Sequence, residues 1–150
     1  MPTRGMVLCF TFLGLTATAA GQPPTAPENW TPTGRTAAIT GRVTFTPSAI
    51  TFQNGKSLSL TPGGQMLFRP LAKKKKVPAD LYRVTQPDDP VLENSNRLCR
   101  GKPVAYLIVW KSEAINKETD PRTIAPFSGP NLNTGSRDDC GRYTFDAGAH

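Results

Sequence analysis

From Val43 onward, apolar residues alternate with polar ones in short runs, the period-two signature of half-buried strands. "RVTF" sets Val43 and Phe45 on one face and "AITF" sets Ile50 and Phe52 on one face, with "TPSA" between them. Pairing Phe45 with Ile50, and Val43 with Phe52, gathers all four side chains on one side through a four-residue loop around Pro47. The run "AAITGRVTF" extends the first strand back to Ile39, with Gly41 marking a bulge or bend. The next turn, in "FQNGKSLSL", is decided by register. A two-residue Asn54-Gly55 turn would pair Thr51 with Leu58 and split the apolar sets between opposite faces. A three-residue loop, Gln53-Asn54-Gly55, pairs Ile50 with Leu58 and restores a single apolar face. It requires Gly55 at positive φ in a bulge.

Further strands follow: "QMLFRPLA", stopped by Pro70; "DLYRVT", with Leu81 and Arg83 opposite Tyr82 and Val84; a short "RLC"; "TIAPF"; and "GRYTF". "VAYLIVW", Val104 to Trp110, is apolar at successive positions, which predicts a strand covered on both faces. "PDDPVLENSN" reads as a turn-rich connection, and "SEAINKE", residues 112–118, as a short helix or a turn. With 15 Pro and 13 Gly in 150 residues, long helices are disfavoured. The predicted fold class is all-β: a small antiparallel barrel or sandwich with one disulfide and at most one short helix.

The N-terminus follows another pattern. "MPTRG" precedes the apolar "MVLCFTFLGLTA" and the small residues "ATA", the layout of a signal peptide over residues 1–19. The Pro-rich stretch 20–35 has too few apolar residues to join a core and is expected to be a flexible arm, leaving 36–150 as one β-domain. Periplasmic or secreted localisation is expected, and no other segment is long and apolar enough to cross a bilayer as a helix. Export also decides the cysteines. Cys9 leaves with the signal, so Cys99 and Cys140 remain as a pair in an oxidising compartment and are expected to bond. A loop of that length implies about 4 kcal/mol of stabilisation by chain entropy.

Charge adds one feature. The chain is +7, and +6 once Arg4 is removed. The lysine run Lys73, Lys74, Lys75 and Lys76 lies between Pro70 and Pro78; on a strand it would bury two charges, so a loop is expected. One reading is a solvated loop. The other is contact with an anionic envelope surface, at about 1 kcal/mol per lysine near an anionic membrane. That reaches only about millimolar affinity by itself, so a second contact is required. No aromatics are interleaved for stacking, which disfavours specific nucleic-acid recognition. The outer face of the apolar strand, either Tyr106, Ile108 and Trp110 or the set from Ala105 to Val109, is covered by the helix candidate or the arm, or else forms a partner surface, expected at Tyr106, Ile108 and Trp110. The oligomeric state is open.

Catalytic and metal chemistry find little to stand on. The single histidine, His150, is the last residue, and a histidine-based triad would hang on it. With two cysteines bridged, a zinc or copper site lacks ligands. Oxygen donors cluster at Asp88, Asp89, Glu93 and Asn94 and at Asp138-Asp139, without an EF-hand pattern; turn carboxylates bonding local backbone are the plainer reading. No cofactor is expected.

The phrases "ITGRVTFTPSAITFQNGKSLSL", "LYRVTQPDDPVLENSNRLC", "PVAYLIVW" and "CGRYTFDAG" resemble a group of small uncharacterised exported bacterial proteins with one disulfide, over most of the chain after about Thr36. The resemblance carries over no functional residue. The general shape also looks like the small disulfide-bearing barrels among bacterial lysozyme inhibitors, without a matching inhibitory motif. The first expectation is a non-catalytic exported β-domain that binds a cell-envelope component or a secreted protein. The second is an inhibitor of a secreted hydrolase, a lysozyme or a protease, acting through the loop Ala125 to Asp139. A small hydrolase using a carboxylate pair comes third.

Overall fold

A computed structural model describes Met1 and residues 26–71, 73–114 and 116–148. Apart from Met1, the expected signal peptide lies outside the described residues, as does His150. Eight strands close into a barrel in sequence order, each antiparallel to its neighbours. They are β1 (Glu28–Pro32), β2 (Val43–Thr46), β3 (Ala49–Phe52), β4 (Ser57–Phe68), β5 (Val77–Asp88), β6 (Val104–Lys111), β7 (Pro121–Phe127) and β8 (Tyr143–Asp146). One short helix, α1 (Thr36–Thr40), and one 3-10 turn (Glu93–Ser95) complete the regular structure.

The register follows the apolar pattern. Phe45 pairs with Ile50, Val43 with Phe52, and Ile50 with Leu58. The Gln53-Asn54-Gly55 loop is closed by the Phe52 N–H donating to the Lys56 carbonyl, 2.8 Å, and Gly55 has φ 81°. Every one of these apolar side chains is buried inside the barrel.

Four expectations need correction. Residues 28–32 are not part of a flexible arm: they form β1, which pairs with β2 and β8 and closes the barrel. The indole of Trp30 drives this. It is buried, stacks 4.5 Å from Phe45 and donates to Glu28 Oε2 at 2.8 Å, so one residue supplies most of the strand's apolar area. Ile39 belongs to α1 and not to a strand. Gly41, at φ 60°, ends that helix, and a Cβ there would meet the Gln53 side chain at 2.6 Å. "RLC" is a bend held by Asp89 rather than a strand, and residues 112–118 form no helix, only an irregular stretch and a turn. "QMLFRPLA" is no separate strand either, because β4 runs unbroken from Ser57 to Phe68.

The continuity of β4 comes from a bulge. Pro62 pairs with Tyr82 and Gly64 with Leu81, leaving Gly63 as an extra residue. An extra residue reverses which face later side chains occupy. Leu58 and Leu60 therefore point into the barrel, while Met66 and Phe68, of the same parity, point outward. There they meet Val77, Ala79 and Leu81 of β5, and with Ile108, Trp110, Ala125 and Phe127 they build a second core on the outside of the sheet. Leu107 and Val109 serve the interior while Ile108 and Trp110 serve this outer core, so β6 is apolar on both faces for a structural reason.

Candidate functional site

The partner surface expected at Tyr106, Ile108 and Trp110 is not free. Ile108 is 0% and Trp110 7% exposed, and Tyr106 packs against the same outer core. Among the described residues the cover is not the N-terminal segment. It is the outward-turned end of the β4–β5 hairpin and the loop of residues 128–142, whose Leu132 joins the outer core. Arg142 locks the loop down. Its guanidinium carbon lies 5.3 Å from the Phe68 ring centre, 5.8 Å from Phe127 and 6.0 Å from Trp110. It also forks onto both oxygens of Asp139, at 2.7 and 3.2 Å. Burial pushes the Asp139 carboxyl up, but the Arg142 bond and the Gly135 and Gly141 N–H donors win, and it titrates below the usual carboxylate range. The loop expected to project as an inhibitor is thus folded back, and Thr134 Oγ1 donates to the Arg69 carbonyl at 2.6 Å.

Between β4 and β5 the chain turns at residues 69–76, a tip beyond the paired strands. Lys73, Lys74, Lys75 and Lys76 all lie here and all are exposed, as is Arg69. Lys73 pairs with Glu113 at 2.7 Å, and the bond holds that carboxyl below its usual range. Lys74, Lys75, Lys76 and Arg69 have no carboxylate within 4 Å among the described residues. Sequence reasoning missed what stands beside them: Leu67 is 63% and Leu71 79% exposed. An apolar cleft of 270 Å³ lined by Leu71, Val77 and Trp110 opens next to Lys73. Phe68 faces the outer core, so Leu67, its neighbour on β4, lies on the opposite face, and the sequence pattern alone does not mark that position as exposed.

Two further concave regions bear on function. A 330 Å³ depression at one barrel mouth is lined by Glu28, Trp30, Phe45, Asp80, Tyr82 and Arg122 among others. Burial, then Asp80 and Glu28, raise the Tyr82 phenol above its usual range. On its rim Lys111 and Arg122 both bind Asp120, at 2.7 and 2.6 Å, so the rim cations are internally neutralised. A 480 Å³ groove lies over the disulfide, between residues 99–102 and 135–141. Cys99 and Cys140 form the expected bridge, with Cα atoms 4.7 Å apart.

The acidic cluster around Asp88 does not converge. Asp89 is buried and accepts from the N–H groups of Leu98 (2.9 Å), Cys99 (3.1 Å) and Gly101 (2.7 Å), and the Arg97 guanidinium holds its carbonyl. Asn94 turns away to the Ala38 carbonyl, 2.9 Å. Asp138 accepts from Asn131 N–H at 3.1 Å. Among the described residues no group of three or more His, Cys, Asp or Glu is placed to hold a metal ion, and no helix is long and apolar enough to cross a membrane. Comparison with protein-family models, with curated proteins and with solved structures finds no match to this chain.

Proposed function

We propose that this protein is an exported, non-catalytic β-barrel domain that docks on an anionic lipid surface of the cell envelope through the β4–β5 hairpin tip. The observation that carries the reading is the exposure of Leu67 and Leu71 beside Arg69 and Lys73–Lys76 on one turn. Lysines alone reach only about millimolar affinity at ~1 kcal/mol each. The leucines supply the missing second contact. Scaled by their exposure, their burial in an acyl boundary adds about 1–2 kcal/mol each. Together the groups give about 7 kcal/mol, a dissociation constant on the order of 10 μM. The leucines also favour lipid over an anionic polymer, which offers no apolar interior.

The test is co-sedimentation of the mature domain with vesicles of phosphatidylcholine alone or mixed with phosphatidylglycerol. Binding is expected only to the mixed vesicles, to fall as salt rises, and to be lost on changing Lys73–Lys76 to Gln. Leu67→Ser with Leu71→Ser weakens it by about thirtyfold to a thousandfold. Equal sedimentation of wild type and both variants overturns the reading.

A further inference from the structure

The groove over the disulfide is independent of the hairpin tip, and its chemistry is different. Its walls come from the β5–β6 and β7–β8 connections, and Arg100, Lys102 and Arg137 line it. None of the three has a carboxylate within 4 Å among the described residues. The one acid in the lining, Asp139, is already taken: its oxygens accept from Arg142 and from the Gly135 and Gly141 N–H groups. Lys102 Nζ reaches across to the Arg137 carbonyl at 3.4 Å, and the disulfide fixes one wall to the other. Three exposed cations thus line one groove whose two walls are covalently joined.

A second observation points the same way. Residues 99–102 form a β-turn in which the Lys102 N–H donates to the Cys99 carbonyl at 3.1 Å. Both central residues have positive φ, Arg100 at 57° and Gly101 at 90°. Such a turn favours Asn, Asp or Gly at its first central position. Arginine there is held in a conformation its backbone disfavours, and backbone strain concentrates where a side chain is kept for what it binds.

We propose that Arg100, Lys102 and Arg137 form a binding site for a phosphate group. A phosphate monoester presents close to two negative charges and three acceptor oxygens, which suits a groove lined by three cations, two of them guanidinium forks. The site's 480 Å³ takes a small phosphate or one headgroup.

The experiment uses the mature domain carrying Lys73–Lys76→Gln, so that the hairpin tip contributes nothing and the two readings fail separately. Amide chemical shifts are followed in one arm with pyrophosphate and in the other with vesicles containing phosphatidic acid. Residues 99–102 and 135–141 are expected to shift on saturation. Lys102→Gln and Arg137→Gln each weaken binding by about threefold. Arg100→Asn weakens binding too while raising the melting temperature, because the turn prefers the new residue; a loss of binding in a more stable protein is not unfolding. Response to pyrophosphate assigns a free phosphate, and response to vesicles alone assigns a headgroup. No response in either arm, or binding unchanged by all three substitutions, overturns the proposal.

Discussion

Arg142 should behave as the latch of the outer core, and its removal should have a pH signature. The guanidinium faces three aromatic rings at 5.3 to 6.0 Å and binds Asp139 with two hydrogen bonds; the side chains are 21% and 11% exposed. The ring contacts, partly desolvated, are worth about 1–2 kcal/mol together. Breaking a fully buried pair costs about 3–5 kcal/mol, and residual solvent access here scales that to about 1–2 kcal/mol. Arg142→Ala is therefore expected to cost about 3 kcal/mol at pH 7 in urea unfolding. The Asp139 carboxyl is depressed, so its contribution is present above its unfolded pKa and vanishes as pH falls through the folded one. Below that point the ion pair no longer counts, the ring contacts and the Arg142 bonds to the Thr134 hydroxyl and the Gly141 carbonyl remain, and the gap should narrow to about 1–2 kcal/mol. A gap that is constant from pH 7 down to acid, or one under about 0.5 kcal/mol at neutral pH, refutes the latch.

Two further outcomes are expected. Tyr143 donates to the Leu98 carbonyl at 2.7 Å, and burial, with help from Asp89, pushes its phenol up to about 12. A raised folded pKa gives stability that is full below the unfolded value of 10.0 and lost as pH climbs to about 12. Tyr143→Phe should cost about 1–3 kcal/mol near neutrality and flatten the alkaline limb of a pH–stability curve; an unchanged limb contradicts the assignment. Replacing Cys99 and Cys140 by Ser opens a loop of 41 residues and should remove up to about 4 kcal/mol, read as a drop in urea midpoint that dithiothreitol reproduces in the wild type. A midpoint indifferent to dithiothreitol would mean the bridge adds no stability.

What was legible in the sequence depended on whether a local rule was enough. The β2–β3–β4 register was readable because a half-buried strand cannot slip by one residue without inverting its faces, and only one loop length kept Ile50, Phe52 and Leu58 together. "TPGGQ" misled for a complementary reason. Around Pro62, Gly63 and Gly64 the strand in "FQNGKSLSL" and the strand in "QMLFRPLA" read as separate, yet the chain absorbs the extra residue as a bulge and continues. That one residue decides that Phe68 faces outward, and hence what covers Trp110. β1 was illegible because its five residues owe their place to Trp30 and to pairing with β8, over a hundred residues away. The cationic groove was half legible. "CRGK" and "SRDDC" are each unremarkable, and only the predicted bridge brings Arg100, Lys102 and Arg137 together.

The outer core also bears on why the hairpin is long. If it served stability alone, β4 and β5 could join by a tight turn directly after the paired Phe68 and Val77. Instead eight residues, 69–76, continue past it, five of them Lys or Arg. Exposed leucines on a loosely held loop collapse or invite aggregation. Here Phe68 and Ala79 are buried immediately behind the tip, so Leu67, on the face of β4 opposite Phe68, is exposed on an anchored strand. The second hydrophobic cluster thus converts a charged loop into a preorganised surface, and loosening it by Arg142→Ala, a residue that lines the cleft with Leu71 and Lys73, should weaken vesicle binding.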